Sequence, residues 1–328
     1  MYFFPNLTHN NPIMKYKNKV YIGQSSTICG PTEAKTVIGK KCDKRMSESH
    51  FDEVDWDKAE QKLIKLAIQE FLNKTNNKKL DAVICGDLIN QNTASNFALA
   101  EFDLPAIGVF SACSSFSEGL LVGSNLILSG NYDNIIAGGT SHFYTAEKQF
   151  RTPCEYGAQR KMTAQTTVTG SGFLEVMKQK SSVAIVGATI GKVIDSGLTD
   201  VTNMGGAMAP AAADTISRHG KSGYDLILTG DLGKLGSKIL NDMLPLKNHI
   251  DAGAVFFDGH DELDVHQGAS GCGCIALYFI TEILPKLQSG ELKKVLVVAT
   301  GCLISQSTGI CKDSMPCIAH AVEFEYVG

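Results

Sequence analysis

Residues 110–141 read FSACSSFSEGLLVGSNLILSGNYDNIIAGGTS, and residues 268–301 read GASGCGCIALYFITEILPKLQSGELKKVLVVATG. The same unit occurs twice. Each copy has a small-residue turn, an apolar run of helical character, Ser-Gly, a polar segment and an apolar strand. Ser129-Gly130 aligns with Ser289-Gly290, Ile135-Ile136 with Val295-Leu296, and Thr140 with Thr300, always 160 residues apart. A second repeat lies upstream of the first. DAVICGDL at 81–88 matches DLILTGDL at 225–232, 144 residues apart. Both are continuous apolar runs ending in Gly-Asp-Leu, the pattern of a strand buried on both faces and closed by a turn.

The halves also begin alike, with VYIG at 20–23 and VAIVG at 183–187, and the polar residues 178–182 join them. We therefore divide the chain into halves 1–180 and 181–328. The segment 56–72 carries Ala59, Leu63, Leu66, Ala67 and Phe71 at helical spacing, with Asp55 or Asp57 as its cap. In the second half the helix is expected over 210–219, with Pro210 in its first turn. Residues 241–265 are polar and Gly/Asp-rich, which accounts for the larger second offset and predicts a surface loop. Alternating strands and helices imply an α/β fold with a mainly parallel sheet covered on both sides. Ligands of such sheets bind at the carboxyl ends of strands, where Cys113, Asp87, Asp231 and Ser270 fall.

Composition narrows the function classes. The chain has 328 residues, 44% of them apolar and 20% charged, with a net charge of −4. That balance gives no long-range attraction for nucleic acid. The N-terminus lacks a basic start followed by a long apolar run, so no signal peptide is expected. No apolar run reaches the ~20 residues a membrane-spanning helix needs. The ten cysteines form no CxxC array and read as reduced, mostly buried small hydrophobes, with no metal site.

Cys113 is the sharpest chemical candidate. It follows an apolar run and opens a helix over 114–128. A thiol there feels the positive end of the helix dipole, and the free N–H groups of such a terminus bind anions. Ser114 and Ser115 add hydroxyl donors. The alternative is a small residue filling a tight strand–helix turn. His142 and His320 fall at strand ends. Each is either a hydrogen-bonded buried histidine or a donor facing the Cys113 pocket. Arg151 is either a bidentate carboxylate clamp or a surface ion pair. Asp87 and Asp231 are expected to hold their turns by accepting backbone N–H bonds.

The SACSSF turn, GASG at 268–271 and MPCIAH at 315–320 resemble the thiolase superfamily, which includes the condensing enzymes of fatty-acid synthesis. The resemblance covers nearly the whole chain. It implies mixed sheets in an αβαβα layering and an acyl-carrying nucleophile at Cys113. Within that superfamily, CGDLINQN at 85–92, KQFRTPCEYGAQ at 148–159, NMGGAMAPAAADTI at 203–216 and ILTGDLGKLGS at 227–237 resemble the stage V sporulation protein AD family. That closer resemblance implies binding of dipicolinic acid, free or as its calcium chelate. It implies uptake into the developing spore and release in germination, together with membrane proteins of the same transport system. It further implies a homodimer, peripheral association with the spore inner membrane, and no cofactor. The ligand residues it points to are Cys113, Ser114, Ser115, His142, Arg151, Ser270 and His320.

The chain departs from the condensing enzymes. The turn that should carry their histidine reads Thr229-Gly230-Asp231, and the one that should carry their asparagine reads Gly268-Ala269-Ser270. The nucleophile position is kept while its partners are absent, which argues for a non-catalytic binding protein. The rivals are a Cys113-dependent acyltransferase using His142 or His320 as a displaced base, and a sporulation scaffold without ligand.

Overall fold

The computed structural model describes residues 13–150, 160–260 and 262–328. The first half supplies strands β1 (Met14–Cys29), β2 (Ala82–Gly86), β3 (Ala106–Gly108), β4 (Asn134–Ser141), β5 (Thr166–Thr167) and β6 (Gly170–Met177). Its helices are α1 (Trp56–Lys74), α2 (Thr93–Leu99), α3 (Ser115–Leu128) and α4 (Phe143–Phe150). The second half adds strands β7 (Val183–Thr189), β8 (Leu226–Thr229), β9 (His249–Asp251), β10 (Ala269–Ser270), β11 (Lys294–Cys302) and β12 (Pro316–Tyr326). It also adds helices α5 (Met204–His219), α6 (Gly233–Met243) and α7 (272–288).

Ten strands run in one hydrogen-bonded path, β9-β8-β11-β12-β7-β1-β6-β4-β2-β3. The path is symmetric about the antiparallel β1–β7 pair. Moving outward in either half, two antiparallel steps are followed by two parallel ones. Register follows the repeat. Val83 pairs with Ile136 in the first half and Ile227 with Leu296 in the second, which are the same positions under the 144 and 160 offsets. The sheet is therefore mixed, and the mainly parallel sheet expected from strand–helix alternation is corrected. β6 and β12 are long antiparallel strands buried in the centre, and their Gly, Ser and Glu residues hide them from an apolar-run reading.

Helix α3 packs on β2 and β4 of one half and on β11 and β12 of the other. Helix α7 packs on β4 and β6, and its Phe279 ring lies 4.6 Å from the Phe324 ring on β12. Both are largely apolar and buried, with polar residues such as Asn125 on α3 and Lys286 on α7 at the few exposed positions. Helices α1 and α2 cover the outside of the first sheet, and α5 and α6 that of the second. The layering is α-β-α-β-α. The side chain of Asp55 caps α1 by accepting from Lys58 N at 2.8 Å, and Ala59, Leu63, Ala67 and Phe71 face the core. In α7 a π-turn at Phe279–Ile283 immediately precedes Pro285. Proline lacks an N–H and crowds the preceding turn, which a widened turn relieves.

Two expectations need revision. Helix α5 begins at Met204, where Asn203 accepts from Gly206 N, and Pro210 lies in its interior. Pro210 falls on a helix that tertiary packing holds, since Ala207, Ala211 and Ala212 are fully buried around it. Residues 241–265 are also more than a surface loop. They contain the edge strand β9, and Ala252, Phe256 and Phe257 enter the core. The true insertion lies after β9. A strand of only three residues, His249-Ile250-Asp251, leaves no periodicity to read. No helix among the described residues is long and apolar enough to cross a membrane.

Candidate functional site

The turn before α3 is built by close approach and small hydroxyls. Ala112 holds φ at 52°, a left-handed conformation rare for a residue with a side chain, directly before Cys113. Ser115 Oγ accepts from Ser111 N and donates to Ala112 O, while Ser114 Oγ donates to Ser111 O. Asn92 Nδ2 donates to Val109 O at 3.0 Å, and Cys272 Sγ donates to Ala112 O at 3.1 Å. The serines expected to face a ligand are thus fully buried and spent on holding the turn.

Cys113 lines a narrow cavity at the meeting of the two halves. The first half contributes Leu88, Ala112, Phe150 and Thr167 beside it, and the second contributes Met204, Met208, Ser270, Cys302 and Ile304. The cavity holds about 30 Å³, little more than a water molecule needs. Ser270 therefore stands with Cys113 as expected. Thr167, Met204, Met208, Cys302 and Ile304 were not identifiable from sequence, because apolar lining residues look like core until the fold joins distant segments. Arg151 lies outside the described residues. It directly follows Phe150, which is on the wall.

The two histidines sit elsewhere. His142 is fully buried, with Nε2 2.9 Å from Ser49 O and its ring against Phe51 and Trp56. Burial lowers its pKa to about 4. His320 Nδ1 accepts from Gly191 N at 3.2 Å, and burial, aided by Arg218, also lowers its pKa to about 4. Both are neutral at pH 7, and neither borders the Cys113 cavity. With Nδ1 accepting, the His320 proton resides on Nε2, which has no hydrogen-bond partner.

The repeated Gly-Asp-Leu turns have diverged. Asp87 accepts from Ile89 N, Ser95 N and Ser95 Oγ, as a turn-holding aspartate should. Asp231 does not, so that expectation is corrected. It is fully buried at φ 72°, and neither carboxyl oxygen makes a hydrogen bond of normal geometry. Burial and the nearby Asp251 push its pKa well up, against the pull of the Gly271 N–H. Asp251 takes over the turn, accepting from Leu232 N, Gly233 N, Ala254 N and Thr229 Oγ1.

A larger cavity of about 250 Å³ shares Thr167 with the first and is bordered by Glu33, Phe143, Tyr144 and Arg160. Glu33 Oε1 accepts from Thr169 N, and Oε2 has no partner. Burial raises the Glu33 pKa from 4.5 to about 7, opposed by the Thr169 N–H. The folded state therefore holds this proton more tightly than the unfolded one. Its stabilising contribution is complete below about pH 4.5 and is lost as pH rises through about 7. Glu33→Gln should abolish that loss, worth on the order of 3 kcal/mol. Thermal midpoints measured from pH 4.5 to 8 should show the variant gaining several degrees on the wild type. A constant gap would remove Glu33 from this role.

Comparison with known proteins agrees with this architecture. Human mitochondrial 3-ketoacyl-CoA thiolase superposes with a TM-score of 0.57 at 11% identity, over 95% of this chain and 99% of that one. OleA from Xanthomonas campestris gives 0.59 at 10% identity, over 95% and 99%. The chain thus has the thiolase fold. Residues 10–325 match the stage V sporulation protein AD family, and the stage V sporulation protein AD of Bacillus subtilis strain 168 is 39% identical over 327 residues, covering 95% of this chain and 96% of the relative. The chain belongs to the stage V sporulation protein AD family.

Proposed function

We propose that this protein is a sporulation protein that binds dipicolinic acid, pyridine-2,6-dicarboxylate, in the Cys113 cleft without performing acyl condensation. The observation that carries the reading is the chemistry of the cleft wall. Among the described residues it holds two thiols, Cys113 and Cys302, and two hydroxyls, Thr167 and Ser270, but no imidazole, amide or cation. Thioester condensation needs a base and donors aimed at the developing oxyanion. A planar dianion needs a flat apolar slot, provided here by Phe150, Met204, Met208 and Ile304, and an anion-favouring helix terminus, provided by α3. Arg151, next to Phe150, is our candidate for the clamp on one carboxylate. The described cavity is far smaller than the ligand, so entry requires the flexible Met204 and Met208 side chains to swing aside.

Titration calorimetry with dipicolinate tests binding, and saturable heat is expected. No heat at millimolar ligand from folded protein would favour the scaffold reading. Incubation with a radiolabelled acyl thioester tests the chemistry. Stable labelling of Cys113 followed by turnover would favour the acyltransferase. Arg151→Ala should weaken dipicolinate binding at least tenfold, and unchanged affinity would remove it from the site.

We propose that a second copy pairs along β3. This edge strand is exposed at every residue, Ile107 among them, it contains no lysine, and the exposed Phe97 and Phe110 lie on the flanking segments of the chain. Strand addition across such an edge satisfies its open backbone groups. The wild type is expected to sediment as a dimer and Ile107→Lys as a folded monomer. A monomeric wild type would overturn the pairing. From family membership we propose that the protein works at the spore inner membrane, with membrane proteins that load and release the ligand.

A further inference from the structure

Residues 302 and 317 face each other across the β11–β12 ladder. Both are cysteines, and both are buried. Leu303 N donates to Pro316 O at 2.8 Å. Residues 303 and 316 are therefore in hydrogen-bonded register, and 302 and 317 form the adjacent non-hydrogen-bonded pair. Side chains approach most closely at such pairs, whose Cα atoms lie about 4.5 Å apart. That separation falls inside the range a disulfide accepts, near its short end, where the bond is strained and easily reduced. Cys317 Sγ donates to Met315 O at 3.4 Å, which holds its side chain in place. Cys302 also lines the Cys113 cavity, which has room for about one water molecule, so a small peroxide would meet the pair from the Cys302 side.

We propose that Cys302 and Cys317 are a modification site, a dithiol that a hydroperoxide converts to a reversible disulfide in the wall of the Cys113 cleft. The sulfur of Cys302, as thiolate, attacks the outer peroxide oxygen. The O–O bond breaks, the alcohol or water leaves with the proton, and a sulfenic acid remains on Cys302. The Cys317 sulfur then attacks the Cys302 sulfur, the S–O bond breaks, and water leaves carrying the Cys317 proton. Two thiols are oxidised and one peroxide is reduced. The neighbouring Cys317 thiol and burial hold the Cys302 pKa well up, so little thiolate is present and the first step is slow. The inference is independent of dipicolinate binding, since it requires only the two strands and the cleft.

The test uses the full chain in a Cys311→Ser background, which removes the exposed thiol between the two. Lys312 is the one tryptic site between positions 302 and 317, so digestion separates them. After exposure to hydrogen peroxide, denaturing alkylation and non-reducing digestion, a linked pair of peptides containing Cys302 and Cys317 is expected. Dithiothreitol should reverse it. Cys317→Ala and, independently, Cys302→Ser should each abolish the linked product. Met162, 69% exposed, reports the oxidant dose through its sulfoxide. Recovery of both cysteines as alkylated thiols once Met162 is fully oxidised would overturn the proposal. So would linkage of Cys302 to Cys113 instead.

Discussion

Gly301→Ala should destabilise the protein by about 3 kcal/mol and displace the Cys113 turn. A Cβ at position 301 would lie 2.2 Å from Ser111 O and 3.1 Å from Ser114 N. Both are backbone atoms, so no rotamer change can clear them. Strand β11 cannot retreat, because residues 295–302 are buried and the strand is paired with β12 along its length and with β8 up to Val298. The turn cannot retreat either, since Ser111, Ser114 and Ser115 lock it internally. The thermal midpoint should fall by several degrees, and alkylation of Cys113 should change rate as its helix terminus moves. Gly309→Ala is the control, for its Cβ would meet only Val201 methyl carbons at 3.5 and 3.8 Å. A Gly301→Ala protein as stable as Gly309→Ala would refute the close approach.

Asp251→Ala should cost still more, about 4 kcal/mol. The carboxylate accepts from three backbone N–H groups and the Thr229 hydroxyl, all at 2.7–3.1 Å. Alanine leaves these donors without a partner in a buried place, and each orphan costs about 1–3 kcal/mol. Such costs are not additive, because water can reach part of the space left by the side chain. Asp251→Asn keeps one acceptor oxygen and should lose about half as much. Chemical denaturation resolves the series. A loss under about 1 kcal/mol for Asp251→Ala would show that the turn after β8 finds other partners.

The repeat made the fold legible because its copies are apolar where a strand is buried on both faces. Asp81–Leu88 and Asp225–Leu232 announce strands for that reason, and the structure keeps their register. Strands β6 and β12 were less visible. Glu175 and Glu323 interrupt them, held in place by Lys78 and by His219 with Lys294. Those partners come from other parts of the chain and leave no local trace. At the site, Cys113 and Ser270 were visible because turn chemistry at a strand end is local. Asp251 was hidden in a three-residue strand. Cys302 looked like one more small buried residue until β12 brought Cys317 opposite it.

The antiparallel β1–β7 pair also governs how the cleft can behave. Proteins that close around ligands as two lobes swing about a few loop residues. Here the lobes are stitched by a hydrogen-bonded ladder, with α3 wedged against strands of both. Among the described residues the two lobes are joined at the waist by this ladder rather than by a hinge loop, which holds the cleft walls at a set spacing. Exchange of the ligand proposed for this cleft would then depend on rotamer jumps of Met204, Met208 and Phe150 on its wall, which are fast and small. Any message that occupancy sends to a neighbouring molecule must leave through those few side chains and the edges of the sheet, without a change in overall shape.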